Sequence, residues 1–296
     1  MNCDLHTHTN HSDGSSSVAE LVREAKEKNL IIALTDHNTV TGLPEFLSES
    51  ASLGVTAVGG TELSTVYDGE EFHLLGLFID PEYYSSVESL CRDYHKLKEQ
   101  SNIALVNRLC DAGYELDYSV IKVKNIKGNV NRAHIASELV KRGYVPSISD
   151  AFDKLLDEKC GYYVPPKRLE LVEAIDFLRS IKALPVLAHP LKDIDAERLR
   201  EILPTLKSAG LVGMETMHSS YSDEKIAVSK AIARKFDLYE SGGSDYHGSI
   251  KPGIQLGVGK GNLNISRSIY DDLLNFKNNE SKQPMSDMIC SSAILL

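Results

Sequence analysis

The feature that most constrains the fold is an alternation of short apolar runs with helical patterns along most of the chain. The apolar runs are continuous, and they lie at 30–35, 55–60, 72–79, 183–190, 210–216 and 237–245. Continuous runs of this length are typical of strands that are covered on both faces. Because helical patterns separate them, the order predicts an α/β fold with parallel strands, as an open sheet or a barrel.

The first helix can be recognised from its start signal. Ser17 and Glu20 match a capping box, in which the glutamate side chain reaches back to the first free amide. Apolar residues then recur at helical spacing from Val18 to Ala25. The pattern predicts an amphipathic helix that follows the first strand and covers one face of the sheet.

The alternation stops between about Tyr114 and Pro166. This region contains two short helical patterns with glycine and proline at their edges, and its apolar positions argue against a disordered loop. We therefore predict an inserted helical subdomain, a cap, within the α/β domain. The predicted organisation is 1–113 and 167–265 for the α/β domain, 114–166 for the cap, and 266–296 for a C-terminal helix with a loosely ordered tail.

Composition narrows the class of protein. Lys+Arg is 32 against Asp+Glu 42, a net charge of -10, which argues against a broad nucleic-acid-binding face. The chain shows no signal peptide and no apolar run of membrane-spanning length, so we expect a cytoplasmic protein. The five cysteines are scattered and form no C-x-x-C pair, which argues against a disulfide scaffold and against a thiolate zinc site.

Metal-binding side chains recur near the ends of the predicted strands. His6 and His8 alternate within DLHTHTNHSDG, so both side chains face the same side of a strand. Most of the other candidates follow a strand or lie in a turn, and one opens a strand: Asp13, His37, Glu62, His73, His189, Asp245 and His247. An isolated H-x-H pair is more often exposed to solvent. Because parallel strands end on one rim, however, this recurrence predicts a single metal centre.

The donor set indicates the chemistry. Imidazole and carboxylate without thiolate suit Zn, Mn, Fe or Co. A carboxylate such as Glu62 can bridge two ions with its two oxygens. Clustered divalent ions hold a phosphoryl group and lower the pKa of a shared water. The composition of the cluster therefore predicts hydrolysis, and favours phosphorus esters over peptides.

Six separated blocks of the sequence occur in the order found in a known family. They are DLHTHTNHSDG, LTDHNTVTG, the glutamate of GGTELS, FHLLGLFID, LAHPLKD and GSDYH. Together they resemble the PHP (polymerase and histidinol phosphatase) superfamily, and most closely its stand-alone phosphoesterases. The resemblance covers roughly residues 2–260. It implies a distorted (β/α)7 barrel, here carrying the inserted helical cap.

The resemblance also implies two or three divalent ions, Mn, Fe or Zn, in adjacent positions. The first implied set is His6, His8, Glu62 and Asp245. The second is Glu62, His73 and His189, and the third is Asp13, His37 and His247. Some members carry histidine at the position of Asp13. A carboxylate there would bind the third ion more weakly or prefer a different ion.

The implied substrate is a small phosphorylated molecule, most closely a nucleotide. Among the relatives, a nucleoside 3′,5′-bisphosphate loses its 3′-phosphate and AMP is a product. Others open a cyclic phosphodiester and then remove the phosphate, or degrade short RNA from the 5′ end. The cap segment NVNRAHIASELVKRG resembles a family helix that begins with R-x-H. Arg132 and His134 would then face the metal centre and hold phosphate.

Further roles are assigned as hypotheses. Glu62, Asp245 and His247 are the predicted catalytic residues, with Glu62 bridging the metals and Asp245 or a histidine of the rim moving a proton. Lys192 and His218 follow strand ends and are candidates to contact phosphate or the leaving group. The alternative for each is an ordinary surface or rim side chain without a role.

Three questions stay open at the level of the sequence. Asp4 and Asp36 stand close to predicted ligand histidines and would either orient an imidazole or form only local hydrogen bonds. The chain could instead be a metal hydrolase of C–N or C–O bonds, or a non-catalytic regulatory module stabilised by metal. The sequence does not determine the oligomeric state.

Overall fold

In the part of the chain that the structure describes, seven strands form one sheet, in which the spatial order of the strands is their order along the chain. The computed structural model describes residues 1–124 and 130–280. The strands are β1 (Asn2–Asp4), β2 (Leu30–Leu34), β3 (Ala57–Tyr67), β4 (Glu70–Leu77), β5 (Leu184–Leu187), β6 (Gly213–His218) and β7 (Tyr239–Gly243).

Helices follow most of the strands. Within the described ranges they are α1 (Val18–Glu27), α2 (Leu43–Leu53), α3 (Tyr84–Asp111), α4 (Tyr118–Lys124), α5 (Arg132–Lys141), α6 (Ile148–Ala151), α7 (Leu171–Ser180), α8 (Ala196–Ser208), α9 (Asp223–Lys235) and α10 (Arg267–Glu280). None of these described helices is long and apolar enough to cross a membrane.

The first and last strands meet and nearly close the sheet into a barrel. The backbone nitrogen of Leu5 donates to Gly242, and that of Asp245 donates to His6, at 3.1 and 3.0 Å. A parallel bridge between Thr7 and Tyr246 continues this contact beyond the strand ends. Apolar side chains of β1 to β6 and of the C-terminal helix α10 form one core cluster. The predicted α/β barrel is therefore confirmed.

Strand β4 differs from the prediction of uniformly parallel strands. It runs antiparallel to both β3 and β5, whereas the other neighbouring strands are parallel. The cause is the two-residue connection at Asp68 and Gly69, whose φ angles of 51° and 81° suit a tight hairpin turn. The reversal places His73, near the beginning of β4, at the edge where the neighbouring parallel strands end.

The start of α1 has the predicted cap. The Ser17 side chain accepts a hydrogen bond from the Glu20 amide, and the Glu20 side chain accepts one from the Ser17 amide. Each such cap stabilises a helix by about 1 kcal/mol. The helix buries Val18, Leu21 and Ala25 against the sheet, so the predicted capping box and amphipathic face are both confirmed.

The chain divides into two compact units. Among the described residues, one comprises 1–88 and 169–280, and the other lies within 89–168. The second unit is helical and has its own apolar core. This core includes Leu105 and Leu109 on α3, which pack with the apolar side chains of α5. The predicted bounds of the cap, 114–166, stay a prediction. A long helix that precedes an insertion can pack with either compact unit, and the sequence pattern alone does not distinguish these two possibilities.

Helix α10 belongs to the core of the first unit. Ile269, Tyr270 and Leu273 are buried in the same cluster as residues of β1 and β5. The predicted helix near 266–276 is therefore present and extends to Glu280. The predicted loosely ordered tail after it, 281–296, lies outside the described residues.

Gly243→Ala is expected to lower the free energy of unfolding by about 1–3 kcal/mol, the usual range for overpacking. A Cβ at this position would lie 2.2 Å from the Cβ of His6 and 2.6 Å from its backbone nitrogen, so β1 and β7 would be forced apart. Denaturant unfolding measures the change. The matched control is Gly253→Ala, because an added Cβ there has nothing within 4 Å. Equal stability of the two variants would contradict the tight packing at Gly243.

Candidate metal centre

The nine predicted ligand residues converge on one edge of the barrel. His6 and His8 follow β1, and His189 follows β5. Glu62 lies inside β3, not past its end as predicted, because β3 continues along β4 after β2 has ended. The others are Asp13 in the turn after β1, His37 after β2, His73 in β4, and Asp245 and His247 after β7.

Glu62 is at the centre of this cluster, fully buried, with imidazoles on both of its oxygens. Oε1 lies 2.8 Å from His73 Nδ1 and 3.2 Å from His189 Nε2. Oε2 lies 3.0 Å from His6 Nε2, and 3.2 Å from both His8 Nε2 and His37 Nδ1. The two oxygens thus face different sets of histidines, which is the arrangement that a carboxylate bridging two cations requires.

Three groups of donors within the described residues could each hold a cation. Their donor atoms lie within 4.8 Å of one another. The groups are His6, His8, Glu62 and Asp245; His37, Glu62 and His73; and His8, Asp13, His37 and His247. The first equals the set implied by the resemblance. The second contains His37 in place of His189, and the third adds His8, because these imidazoles lie between neighbouring groups.

Unpaired imidazole nitrogens show that the donor set fits metal ions. Among the described residues, several buried ring nitrogens have no hydrogen-bond partner: both nitrogens of His8, Nδ1 of His37, His73 and His189, and Nε2 of His218 and His247. Buried polar atoms are rarely left unpaired unless a ligand or ion completes them. Nitrogen and oxygen donors without thiolate suit Zn, Mn or Fe. The residues present therefore fit divalent cations.

The electrostatics of the cluster keep its carboxylates ionised. Burial raises the pKa of Glu62, but His6, His37 and His73 outweigh it and hold this pKa well below the usual range. Burial likewise opposes ionisation of Asp245, yet neighbouring histidines, His218 foremost, keep its pKa low. Both carboxylates therefore offer charged oxygens to a cation at neutral pH.

The histidines respond to the same environment in opposite directions. Burial lowers the pKa of His8, but the nearby carboxylates of Asp245 and Glu62 outweigh burial and raise it to about 9. Burial lowers the pKa of His37 to about 4 despite the nearby charge of Glu62. A cation that binds an imidazole such as that of His8 displaces the proton from the nitrogen it binds.

Two further predicted residues lie on the first unit. His218, the last residue of β6, is buried, and its Nε2 is 3.5 Å from Asp245 Oδ2. Its Nδ1 accepts a hydrogen bond from the Ser220 amide at 3.2 Å, so the neutral ring carries its proton on Nε2. Lys192 is exposed in the short helical turn that follows His189.

The predicted phosphate-binding residues of the cap form contacts within the second unit. The Arg132 guanidinium lies 4.2 Å from the ring centre of Tyr163 and 5.5 Å from that of Phe152. It also donates to the carbonyl of Leu156. His134 takes part in the helix cap, where its Nδ1 accepts from the Asn131 amide. Phosphate binding by these two residues stays a prediction.

Asp36 and Asp4 form hydrogen bonds with backbone and hydroxyl groups of segments distant in sequence. Asp36 accepts from the amide and the hydroxyl of Thr9 and from the hydroxyl of Ser12, and so holds the turn after β1. Asp4 accepts from the amide and hydroxyl of Ser244 and from the Gly257 amide. None of these bonds engages an imidazole ring, although Asp4 also accepts a hydrogen bond of 3.4 Å from the backbone amide of His6. An orienting role for either carboxylate stays a prediction.

Two residues of the site have no signal in the sequence. Glu215, within β6, is fully buried, and its Oε1 lies 3.1 Å from His6 Nδ1. Lys251 places its Nζ 3.0 Å from Asp245 Oδ2. Neither belongs to a recognisable motif, although the position of Glu215 in a buried strand is itself unusual for a charged residue.

The family model of the PHP domain matches residues 4–163 of this chain. Among relatives, the 5′-3′ exoribonuclease of Haemophilus influenzae is 29% identical over 246 residues, covering 82% of this chain and 89% of its own. The phosphoribosyl 1,2-cyclic phosphate 1,2-diphosphodiesterase of Eggerthella lenta is 29% identical, covering 83% and 94%. The 3′,5′-nucleoside bisphosphate phosphatase of Chromobacterium violaceum is 27% identical, covering 92% and 96%.

Solved structures of similar fold cover nearly the whole chain. One from Bifidobacterium adolescentis, provisionally described as a metal-dependent phosphoesterase, has a TM-score of 0.69 at 26% identity and covers 92% of this chain and 95% of its own. An amidohydrolase structure from Chromobacterium violaceum, with bound sulfate and no metal, has a TM-score of 0.71 at 26% identity, covering 93% and 96%.

Proposed function

This chain belongs to the PHP domain family and is a metal-dependent phosphoesterase, and we propose that its substrate is a nucleoside 3′,5′-bisphosphate. In this proposal the enzyme removes the 3′-phosphate and releases a nucleoside 5′-monophosphate such as AMP. The nine residues of the cluster would hold the divalent cations, and Glu62 is the candidate to bridge two of them. The observation that supports this metal centre is the placement of imidazoles on both oxygens of Glu62.

The choice of substrate is supported by the relatives. The bisphosphate phosphatase of Chromobacterium violaceum aligns over 92% of this chain. The net charge of -10 disfavours a long nucleic acid as substrate. A small phosphorylated molecule avoids this penalty, because the local charge of bound cations outweighs the charge of the whole protein.

The chain's own residues have separate tasks in the proposed reaction. Divalent cations, when bound, neutralise charge on the phosphoryl oxygens and lower the pKa of a water molecule. Glu62 and Asp245 supply ionised oxygens on one side of the cluster. His218 carries its proton on Nε2 beside Asp245, so we assign it the transfer of a proton to the departing ester oxygen.

A second candidate substrate is a short RNA with a 5′-phosphate. The specific support is the similarity to the exoribonuclease of Haemophilus influenzae, which covers 82% of this chain. The two candidates share one chemical step, the hydrolysis of an ester at the 3′ oxygen of a 5′-phosphorylated nucleotide. A third, a cyclic phosphodiester, is supported by the relative from Eggerthella lenta.

A substrate panel tests the proposal directly. Purified protein loaded with Mn²⁺ is expected to release phosphate and AMP from adenosine 3′,5′-bisphosphate, with a higher kcat/KM than on a 5′-phosphorylated RNA pentamer or a cyclic nucleotide phosphate. Chromatography of the nucleotides and a colorimetric phosphate assay measure the products. The Glu62→Gln variant, purified in parallel, is the control for contaminating phosphatase. If either competing substrate gave a higher kcat/KM, that substrate would be assigned in place of the bisphosphate.

A further inference from the structure

We infer that Glu215 is a positioning residue that sets the orientation of two metal ligands from a third strand. Its carboxylate is fully buried on β6 and divides its oxygens between two neighbours. Oε1 lies 3.1 Å from the ring nitrogen Nδ1 of His6. Oε2 accepts a hydrogen bond of 2.7 Å from the backbone amide of His189. The inference rests on the proposed ligand roles of these two histidines.

The first contact selects the tautomer of His6. An ionised carboxylate only accepts hydrogen bonds, so His6 Nδ1 must carry the proton that it shares with Glu215. The other ring nitrogen, Nε2, then keeps its lone pair. This nitrogen lies 3.0 Å from Glu62 Oε2 and 3.8 Å from Asp245 Oδ1, so it faces the cluster. A carboxylate on the outer nitrogen fixes a ligand imidazole in this way and raises its basicity.

The second contact holds a strained backbone turn. His189 has a φ of +29°, a conformation that residues other than glycine rarely adopt. Such strain persists only where the surrounding structure maintains it. The bond to Glu215 Oε2 engages the amide of this same residue, and the turn places His189 Nε2 3.2 Å from Glu62 Oε1.

Glutamine at position 215 would preserve the volume but not this double role. Its side chain offers one acceptor oxygen and one donor group, whereas His6 and His189 present two N–H donors. If the oxygen serves the His189 amide, the NH₂ group faces His6 Nδ1 and favours the tautomer whose proton lies on Nε2. Metal binding at His6 is then impaired without any change in the ligands themselves.

The test measures Zn²⁺ binding without any substrate. Glu215→Gln is expected to weaken Zn²⁺ affinity by about 10–100-fold, the usual effect of losing an outer partner of a metal ligand. Competition with a chromophoric chelator measures the dissociation constant. Glu240→Gln is the matched control, because Glu240 lies on the neighbouring strand β7 and contacts Thr216 and Lys230. An unchanged dissociation constant in Glu215→Gln would overturn the inference.

A third variant separates this inference from the proposed metal site. His6→Gln is expected to weaken Zn²⁺ binding at least as much as Glu215→Gln. If His6→Gln binds like the wild type, the ligand assignment itself fails. If only Glu215→Gln binds like the wild type, the ligand assignment stands and the positioning role fails.

A measurement on the wild type covers the case in which Glu215→Gln does not fold. In the Zn²⁺-loaded protein, ¹⁵N NMR of the histidine rings is expected to show a proton on His6 Nδ1 and a metal-bound Nε2. His6 bound through Nδ1, or lacking a proton there, would refute the positioning role of Glu215.

Discussion

Glu62→Gln is expected to lower kcat by about 10³-fold or more, because charge stabilisation by bound cations contributes several kcal/mol to such reactions and depends on this carboxylate. Glu62 contacts five imidazoles through its two oxygens. Glutamine has the same shape but carries no charge and only one oxygen, so it cannot bridge two cations. The fold is expected to remain intact, since no packing volume is lost.

The measurement is steady-state hydrolysis of adenosine 3′,5′-bisphosphate at saturating Mn²⁺, with circular dichroism to verify the fold. The control variant is Glu201→Gln, an exposed glutamate that pairs with Arg198 on the surface. Wild-type activity in a correctly folded Glu62→Gln protein would disprove the bridging role.

Removing the metal ions is expected to abolish hydrolysis and to lower the melting temperature by roughly 5–10 °C. A ligand at about 100 times its dissociation constant stabilises the folded state by about 2.7 kcal/mol, and about 1 kcal/mol corresponds to a few degrees in a chain of this size. The physical reason is the group of buried imidazole nitrogens without hydrogen-bond partners in the described residues. A cation satisfies these nitrogens, whereas the metal-free centre leaves them desolvated.

Differential scanning calorimetry and an activity assay after dialysis against a chelator test this prediction together. Adding Mn²⁺ or Zn²⁺ back after removal of the chelator should restore both the melting temperature and the activity. The His6→Gln variant should show a smaller shift in melting temperature on metal addition. Full activity of the dialysed protein, verified as metal-free by elemental analysis, would contradict metal dependence.

The ligand residues could be predicted because their signal is local. The prediction that imidazoles and carboxylates at the ends of buried strands form one cluster needs only one assumption, that the strand ends share a rim. Seven of the nine predicted ligands lie just beyond strands or in the adjoining turn, as that assumption requires, including His37 and His247. The capping box at Ser17 is equally local, since its two hydrogen bonds involve residues three positions apart.

The reversal of β4 and the extent of the second unit were not predictable in the same way. Both depend on tertiary contacts: the direction in which β4 pairs with its neighbouring strands, and the helices against which α3 packs. The turn at Asp68 and Gly69 is a hairpin signal, but the apolar run after it is equally compatible with a parallel strand. Helix α3 is one continuous pattern, and only the packing of Leu105 and Leu109 assigns most of it to the second unit.

The residue types and their positions after predicted strands are sufficient to identify the type of chemistry: a cluster of nitrogen and oxygen donors on the edge of an α/β barrel. The support of that cluster depends on contacts that form only in the folded chain. Glu215 is 209 residues from His6 along the chain, yet its carboxylate contacts the ring of that histidine. Asp36, next to a ligand histidine in sequence, holds a turn. The type of a residue and its position in the sequence determine which donor atoms it can offer to a metal. The contacts that orient a metal ligand, in contrast, form between strands that are distant in sequence.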